Sequence, residues 1–243
     1  MTNSLENQNC DIRTEGLIKS YGNFDALRGV DLKINMGEFY TLFGPNGAGK
    51  TTLIKLLATL TDPTSGKLSV FGFDAKKEVQ KIRSILGVIS HDPYLYETLT
   101  AFENIKFFGE LYGLTEIDNR AHSVIKQVGL ESRAHDLVRT FSRGMKQRLT
   151  VARAIVHEPK ILLLDEPYTG LDQHGAKIFG EMLSELKNQN RTILMTTHNI
   201  DEGLDLSDRV GILAKGKIIF DCPESRIDRS NFKDLYISKV EES

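Results

Sequence analysis

The chain lacks the features that mark secreted, disulfide-bonded or membrane-spanning proteins. Its 243 residues include two cysteines, Cys10 and Cys222, which lie near opposite ends in no metal-ligand spacing. They are interpreted as free thiols of a reducing compartment. Residues 1–13 have neither the basic start nor the apolar stretch of a signal peptide. No apolar run approaches the roughly 20 residues needed to span a bilayer. These absences predict a soluble, cytoplasmic protein that reaches the inner face of the membrane only through a partner.

The chain also lacks an excess of either charge. It has 31 lysines and arginines against 33 aspartates and glutamates, a formal net charge of −2 and a pI near 6.3. Nucleic-acid-binding domains usually carry a basic surplus, so no nucleic-acid partner is expected. The hydrophobic share of 40% is ordinary for a globular protein. The length allows one large domain or a domain with an inserted subdomain.

The order of apolar patterns predicts an α/β chain. Runs broken by turn residues over 17–34 predict antiparallel strands, and continuous apolar runs predict buried strands. The buried strands are predicted at 39–43, 161–164 and 192–196, a further strand at 67–73, a hairpin at 210–220, and helices at 52–60 and 175–187.

A helical section lies between these parts, from about residue 92 to 157. Three apolar stripes at helical spacing follow one another there with no strand between them. The stripes are Leu99, Phe102, Ile105, Phe108 and Tyr112; Val124, Val128 and Leu130; and Met145, Leu149, Ala152 and Val156. The pattern predicts an α-helical subdomain inserted into an α/β domain.

Residues 44–51 fit G-x-x-x-x-G-K-[ST], the loop that cradles phosphates in nucleotide-binding proteins. The segment lies between a predicted strand and a predicted helix. Its glycines let backbone N–H groups turn toward a polyphosphate at the helix N-terminus. Lys50 is expected to reach the β- and γ-phosphates, and the Thr51 hydroxyl to ligate Mg²⁺. The candidate nucleotide-binding residues are Gly44, Pro45, Asn46, Gly47, Ala48, Gly49, Lys50, Thr51 and Thr52.

Two carboxylates and a histidine follow predicted strands. Asp165 and Glu166 end an apolar strand, where Asp165 is expected to hold Mg²⁺ and Glu166 to polarise the attacking water. His198 follows another strand; a lone histidine is more often a surface or core residue, but this place favours contact with the γ-phosphate or the water. Ligands of open α/β sheets collect at the carboxyl edge, so these side chains are expected beside the phosphate loop.

A second anion-binding segment is predicted at residues 141–149, a loop that leads into a helix. Ser142 suits a helix N-cap, and the same geometry suits phosphate binding. The segment belongs to the helical insert, away from the phosphate loop of the same chain. Any phosphate that it binds is therefore expected to belong to another subunit.

Together these motifs resemble the ATP-binding cassette (ABC) family from about residue 14 to 220. The resemblance implies a P-loop NTPase with a RecA-like core, an antiparallel β-subdomain and an inserted helical subdomain, preceded by a flexible segment (1–13) and followed by a short tail (221–243). It implies that two cassettes, expected to be a homodimer, pair head to tail around ATP. Ser142 and Gly144 would then face the nucleotide of the partner. Asp172 is a further nucleotide-site candidate, and Tyr21 holds the place of the aromatic that stacks on adenine, although a strand-core role is equally open from the residues.

The chain departs from the family at two positions. Arg143 replaces the first glycine of the family's Leu-Ser-Gly-Gly-Gln signature, and either adds charge near the γ-phosphate or points to solvent, which is favoured. His91 stands where the family has a glutamine that senses the metal and the water. We expect His91 to take that catalytic and metal-sensing role. Its protonation should then alter the ATPase pH profile relative to His91→Gln.

Other functions fit the sequence less well. A GTPase would need an Asn-Lys-x-Asp motif, which is absent, and a small-molecule kinase offers no reason for residues 141–149. The serious alternative is a soluble, non-transport ABC ATPase or regulatory module. The resemblance favours an ATPase subunit of an exporter that works with a separate multi-span membrane subunit. A weaker resemblance, carried by residues 90–91, 142–145 and 202–204, is to the haem-exporter cassettes of cytochrome c maturation.

Overall fold

The computed structural model describes residues 10–90 and 92–243. The strands are β1 (Cys10–Tyr21), β2 (Phe24–Asn35), β3 (Phe39–Phe43), β4 (Ser65–Val70), β5 (Phe73–Asp74), β6 (Leu86–Ile89), β7 (Ile161–Asp165), β8 (Thr192–Thr197), β9 (Arg209–Ala214) and β10 (Lys217–Pro223). The helices are α1 (Lys50–Leu57), α2 (Val79–Ile85), α3 (Ala101–Leu111), α4 (Ile117–Gln127), α5 (Arg143–Ile155), α6 (Gln173–Asn188), α7 (Ile200–Leu204) and α8 (Phe232–Glu241).

The larger sheet is mostly parallel and is buried on both faces. Its strand order is β10-β9-β3-β8-β7-β6, with β9, β3, β8, β7 and β6 parallel and β10 returning as a hairpin. Every residue of β3, β7 and β8 is buried, as expected for apolar strands that are covered on both sides. The carboxyl ends of these three neighbouring strands therefore meet at one edge, where ligands of such sheets bind.

The smaller sheet is antiparallel, with the order β2-β1-β4-β5. Strand β1 begins at Cys10, so the expectation of a flexible segment over 1–13 is wrong for residues 10–13. Ile12 is fully buried, and the buried Asp11 carboxylate accepts a hydrogen bond from the Thr192 hydroxyl of β8. The polar composition of this segment gave no strand signal. Its partners are residues distant in sequence, in β2, β4 and β8. Residues 1–9 lie outside the described part of the structure.

Helices α3, α4 and α5 pack together and against the larger sheet. Their predicted apolar stripes supply fully buried side chains such as Ile105, Val124 and Leu149. Thr100 and Glu103 form a capping box at the start of α3, which the stripe alone did not place. The three predicted helices are confirmed, while the limits of an inserted subdomain at about 92 and 157 stay a prediction.

The end of the chain packs on the strand that precedes the phosphate loop. Strand β10 continues to Pro223, past the predicted start of a tail at 221. The ring of Phe232 in α8 is fully buried, with its centroid 5.4 Å from that of Phe43, the last residue of β3. Helix α8 is packed, because Phe232 closes a small apolar cluster with that strand, while the boundary between domain and tail at 220 and 221 stays a prediction.

Candidate active site

The glycine loop fits tightly between β3 and α1. A side chain at Gly44 would lie 2.3 Å from the Leu213 carbonyl oxygen, and one at Gly49 would lie 2.5 Å from the Ala26 carbonyl oxygen. Gly49 also has a φ of 110°, which disfavours any residue with a Cβ. The loop keeps its backbone close to the sheet because these positions are glycines.

The loop opens on a cavity of about 290 Å³. It is lined by Phe24, Ala26, Pro45, Asn46, Gly47, Ala48, Gly49, Lys50, Thr51, Thr52 and Glu166. The predicted loop residues after Gly44 all lie on this cavity. Tyr21, expected to stack on adenine, is outside this lining, and its ring lies under the Lys19 ammonium, 5.0 Å from it.

Phe24 lines the cavity and was missed by sequence reasoning. It is the cross-strand partner of Tyr21 across the β1–β2 turn, and its side chain is 58% exposed. Cross-strand partners share a face of the sheet, so both aromatics lie at the hairpin end nearest the loop. The signal available in the sequence was an aromatic just after the Gly22-Asn23 turn.

Lys50 is held at the base of the cavity. Its ammonium donates to the carbonyl oxygens of Gly44 at 2.6 Å and Pro45 at 3.2 Å, and lies 3.2 Å from a carboxylate oxygen of Glu166. The side chain is only 6% exposed. A buried ammonium with three oxygen partners supplies a fixed positive charge to whatever anion enters the loop.

Glu166 is the centre of the catalytic group that the sequence predicted. It follows β7 with a φ of 50°, uncommon for a residue with a side chain, and its N–H donates to the Thr196 carbonyl of β8. Its second carboxylate oxygen lies 2.7 Å from Nδ1 of His198. The strand order thus brings together Lys50, Glu166 and His198, although they are more than 30 residues apart in sequence.

Asp165 lies beside this group at the end of β7. Its side chain is 3% exposed, and one carboxylate oxygen accepts a hydrogen bond of 2.7 Å from the Thr196 hydroxyl. Burial raises the pKa of the Tyr236 hydroxyl in α8. The negative charge of Glu166 is the second cause and raises it further. The carboxyl edge of the sheet is therefore rich in negative charge around one buried lysine.

The other predicted nucleotide contacts line a second cavity, of about 340 Å³, which shares no lining residue with the first. Ser142 is the N-cap of α5, and its hydroxyl accepts from the Met145 N–H at 3.3 Å. Asp172 is the N-cap of α6, and its carboxylate accepts from the Gly175 N–H at 2.7 Å. Gly144 lies between them on the same cavity. One chain therefore keeps the two predicted groups apart.

Two further sequence expectations have different outcomes. Arg143 was expected at a phosphate or in solvent; it is exposed and lines the second cavity, and its guanidinium also donates to the Thr169 carbonyl oxygen at 2.8 Å. The prediction missed this contact because Thr169 lies 26 residues away in sequence. His91 lies outside the described residues, so its predicted role stays a prediction.

A glycine loop between a buried strand and a helix, beside a strand that ends in two carboxylates, defines the chain as a P-loop nucleotide-binding protein. Residues 27–169 match the ABC transporter family, and the chain belongs to that family. It is the ATP-binding subunit of an ABC transporter, and it is an ATPase. The predicted ABC ATPase fold is confirmed.

Named relatives cover most of the chain. The linearmycin resistance ATP-binding protein LnrL of Bacillus subtilis (strain 168) is 38% identical over 86% of this chain and 68% of that protein. The lantibiotic transport ATP-binding protein SrtF of Streptococcus pyogenes is 35% identical over 94% of this chain and 97% of that protein. A dimeric, post-hydrolysis structure of the ATP-binding cassette MJ0796 with ADP and Pi superposes with a TM-score of 0.81 and 28% identity, over 88% of this chain and 98% of that one.

Within residues 10–90 and 92–243, no helix has both the length and the apolar character needed to cross a membrane.

Proposed function

We propose that this chain drives export of an organic solute, by hydrolysing ATP at sites shared between two copies that pair head to tail. The observation that carries the proposal is the division of the predicted nucleotide contacts into two groups. Lys50, Glu166 and His198 meet at the first cavity, whereas Ser142 and Gly144 face the second. A second copy of the chain would supply the missing half of each site.

The roles follow from the contacts at the first cavity. Lys50 binds the β- and γ-phosphates, exchanging its contact with Glu166 for phosphate oxygens. Glu166 then acts as general base toward the attacking water. His198, whose Nδ1 lies beside the Glu166 carboxylate, orients that carboxylate and helps to hold the γ-phosphate.

The residues at the edge of the sheet fit Mg²⁺. The buried Asp165 carboxylate and the Thr51 hydroxyl are hard oxygen donors, the type that this ion prefers. They would hold the ion, and its charge would neutralise the phosphates when bound. Thr196 orients the Asp165 carboxylate through its hydroxyl, which leaves the second carboxylate oxygen for the ion.

An exposed apolar face on the helical section supports a membrane-subunit partner. Tyr96, Phe107 and Leu111 are 48%, 36% and 68% exposed. The rings of Tyr96 and Phe107 pack edge to face with centroids 5.1 Å apart. Exposed apolar clusters of this kind commonly mark protein interfaces. Contact with a partner would place the chain on the cytoplasmic face of the membrane.

The names of relatives support export. They include a bacitracin transport protein of Bacillus licheniformis, 38% identical over 92% of this chain, and a Nod factor export protein of Rhizobium johnstonii, 37% identical over 84%. Both are named as ATP-binding proteins, which matches a subunit that powers transport without itself forming the path. The resemblance to haem-exporter cassettes stays a prediction.

The direct test of the site is Glu166→Gln. The variant should bind ATP normally and lose turnover by about 10²- to 10³-fold. Glutamine has the size and shape of glutamate but cannot accept the proton of the attacking water. ATPase rates and ATP retention on a gel-filtration column measure both properties. Glu181→Gln, an exposed carboxylate on α6, is the matched control. Turnover within a few fold of the wild type would remove Glu166 from this role.

Co-purification separates the transport motor from a free ATPase. The tagged chain, expressed at its natural level, should be recovered from solubilised membranes with a multi-span subunit. Recovery only from the soluble fraction with a soluble partner would support a non-transport ATPase or regulatory module instead.

A further inference from the structure

Arg143 occupies a costly position for a cation. It is the first residue of α5, where the helix dipole is positive and a positive side chain is disfavoured. Its guanidinium turns away from the helix and donates to the Thr169 carbonyl oxygen at 2.8 Å. The contact joins the helix that carries Ser142 to the loop that follows Glu166.

Gly170 is shaped to receive this guanidinium. It has a φ of 75°, and a Cβ placed on it would lie 2.0 Å from Arg143 Cζ and 2.4 Å from Nε. The guanidinium therefore occupies the space that a side chain at position 170 would need. Any side chain at position 170 would both strain the backbone and displace the arginine.

A second side chain of α5 holds the same loop. Gln147, one helical turn after Arg143 and almost fully buried, donates to the Pro167 carbonyl oxygen at 2.9 Å. Residues four apart share a helix face, so Arg143 and Gln147 both donate hydrogen bonds to carbonyl oxygens of one short segment. Within that segment the Thr169 N–H donates to the Glu166 carbonyl at 3.1 Å, which passes the constraint to Glu166.

We propose that Arg143 is a positioning residue that fixes the 167–170 loop and, through it, the Glu166 carboxylate. The inference rests on the proposed role of Glu166 and adds a residue to its support. Arg143 acts through Thr169 and Gly170; it lines the second cavity and lies outside the lining of its own chain's phosphate-loop cavity. The matching of an arginine at 143 with a glycine at 170 is what makes the contact possible.

The proposal is tested first without ATP, by hydrogen exchange. Arg143→Met keeps the length of the side chain but removes all donors, so the amides of residues 168–171 should exchange about fivefold or more faster. Arg139→Met is the matched control, since Arg139 is an exposed arginine in the same segment and makes no hydrogen bond to the loop in the described structure. It should leave these amides unchanged.

Kinetics provide the functional test. Arg143→Met should lower kcat by about five- to tenfold with little change in KM for ATP, because Glu166 is displaced while the phosphate loop is intact. Arg143→Lys should recover only part of kcat, since an ammonium can donate to Thr169 but lacks the guanidinium that fills the space beside Gly170. Gly170→Ala should lower kcat in the same way, because its methyl group displaces the guanidinium although residue 143 is still an arginine. This second variant also serves if Arg143→Met folds poorly.

The contrary outcomes are distinct. A higher KM with unchanged exchange of residues 168–171 would show that Arg143 acts on phosphate, and would overturn the proposal. Unchanged exchange and unchanged kcat would overturn it as well. If Glu166 is not the general base, the ATPase rate of Glu166→Gln will show it. If Arg143 does not fix the loop, the hydrogen exchange of Arg143→Met without ATP will show it, so the two proposals can fail separately.

Discussion

At the scale of single residues, the charge pattern explains why Glu166 is so closely held. Its two carboxylate oxygens have different partners, Lys50 on one side and His198 on the other. The Glu166 side chain is 18% exposed and that of Lys50 is 6% exposed, so the contact between them is screened less than a surface ion pair. A carboxylate held at both oxygens has little rotational freedom, which suits a group that must meet one water in one orientation.

Phe24 is the residue-scale prediction for nucleotide affinity. If its ring contacts the base, Phe24→Ala should raise KM for ATP roughly three- to tenfold, the usual value of an aromatic contact, with kcat little changed. Phe24→Tyr should remain near the wild type. Steady-state ATPase measurements over a range of ATP concentrations check this, and because Phe24 is 58% exposed the substitution should not affect folding.

Tyr21→Ala decides between the two aromatics of the hairpin. The structure places Phe24, and not Tyr21, on the cavity lining. An unchanged KM in Phe24→Ala together with a raised KM in Tyr21→Ala would restore the original expectation that Tyr21 meets the adenine. Raised KM values in both would indicate a two-sided contact by the cross-strand pair.

At the scale of elements, His157 joins three pieces of structure. It follows the end of α5. Its ring stacks on Tyr112, at the end of α3, with ring centroids 3.7 Å apart. Its Nε2 donates to the Leu86 carbonyl oxygen at the start of β6. Nδ1 is buried without a hydrogen-bond partner in the described residues. Burial lowers the pKa of His157 from 6.5 to about 4, and the nearby positive charges of Arg120 and Arg191 act in the same direction.

This histidine makes stability depend on pH. Its folded-state pKa lies below the unfolded value, so its contribution is complete above about pH 6.5 and is lost as the pH falls toward 4. The loss should approach about 3 kcal/mol of unfolding free energy at the acid end. Denaturant unfolding of wild type and His157→Gln between pH 7 and pH 4 measures it, since glutamine stays neutral. His122→Gln, an exposed histidine on α4, is the control, and equal pH slopes in all three proteins would contradict the assignment.

Elements were predicted best where their cause is local. The buried strand Phe39–Phe43 coincides with the predicted one, and helices were found where the stripes indicated them. Starts were less accurate: α1 begins at Lys50 and not at Thr52, because the left-handed Gly49 already turns the chain into the helix. The strand at Cys10–Arg13 was missed because a polar sequence carries little strand signal unless its partner strand is known.

At the scale of the whole molecule, the proposed head-to-tail pairing would bring the first cavity of one copy to the second cavity of the other. They share no lining residue, so a single chain keeps the two predicted groups of phosphate donors apart. One solved relative that superposes on the chain, the cassette MJ0796, is dimeric. A two-fold axis makes each contact between copies occur twice, so two equivalent sites are expected.

Mixed dimers test this arrangement. Lys50→Ala disables the phosphate loop and Ser142→Glu repels phosphate at the signature, so each variant alone should be inactive. An equal mixture should regain about a quarter of wild-type ATPase, because half of random dimers are mixed and each mixed dimer has one intact site of two. Mixing Lys50→Ala with Glu166→Gln is the control, since both changes affect the same half of the site and no intact site forms. No recovery in the first mixture, with dimers present, would argue against shared sites.

The sequence by itself determined the fold class and the order of the chemical groups along the chain. Strand, glycine loop and helix are adjacent, so residues 39–60 carry their own structural signal, as does the apolar strand before Asp165. The tertiary structure alone decided that Phe24 lines the cavity, that Arg143 meets Thr169, that Phe232 supports Phe43, and that two cavities stay separate. These contacts join residues distant in sequence. Their existence depends on how buried surfaces of strands and helices pack, and a periodic pattern records only which face of an element is buried, not what lies against it.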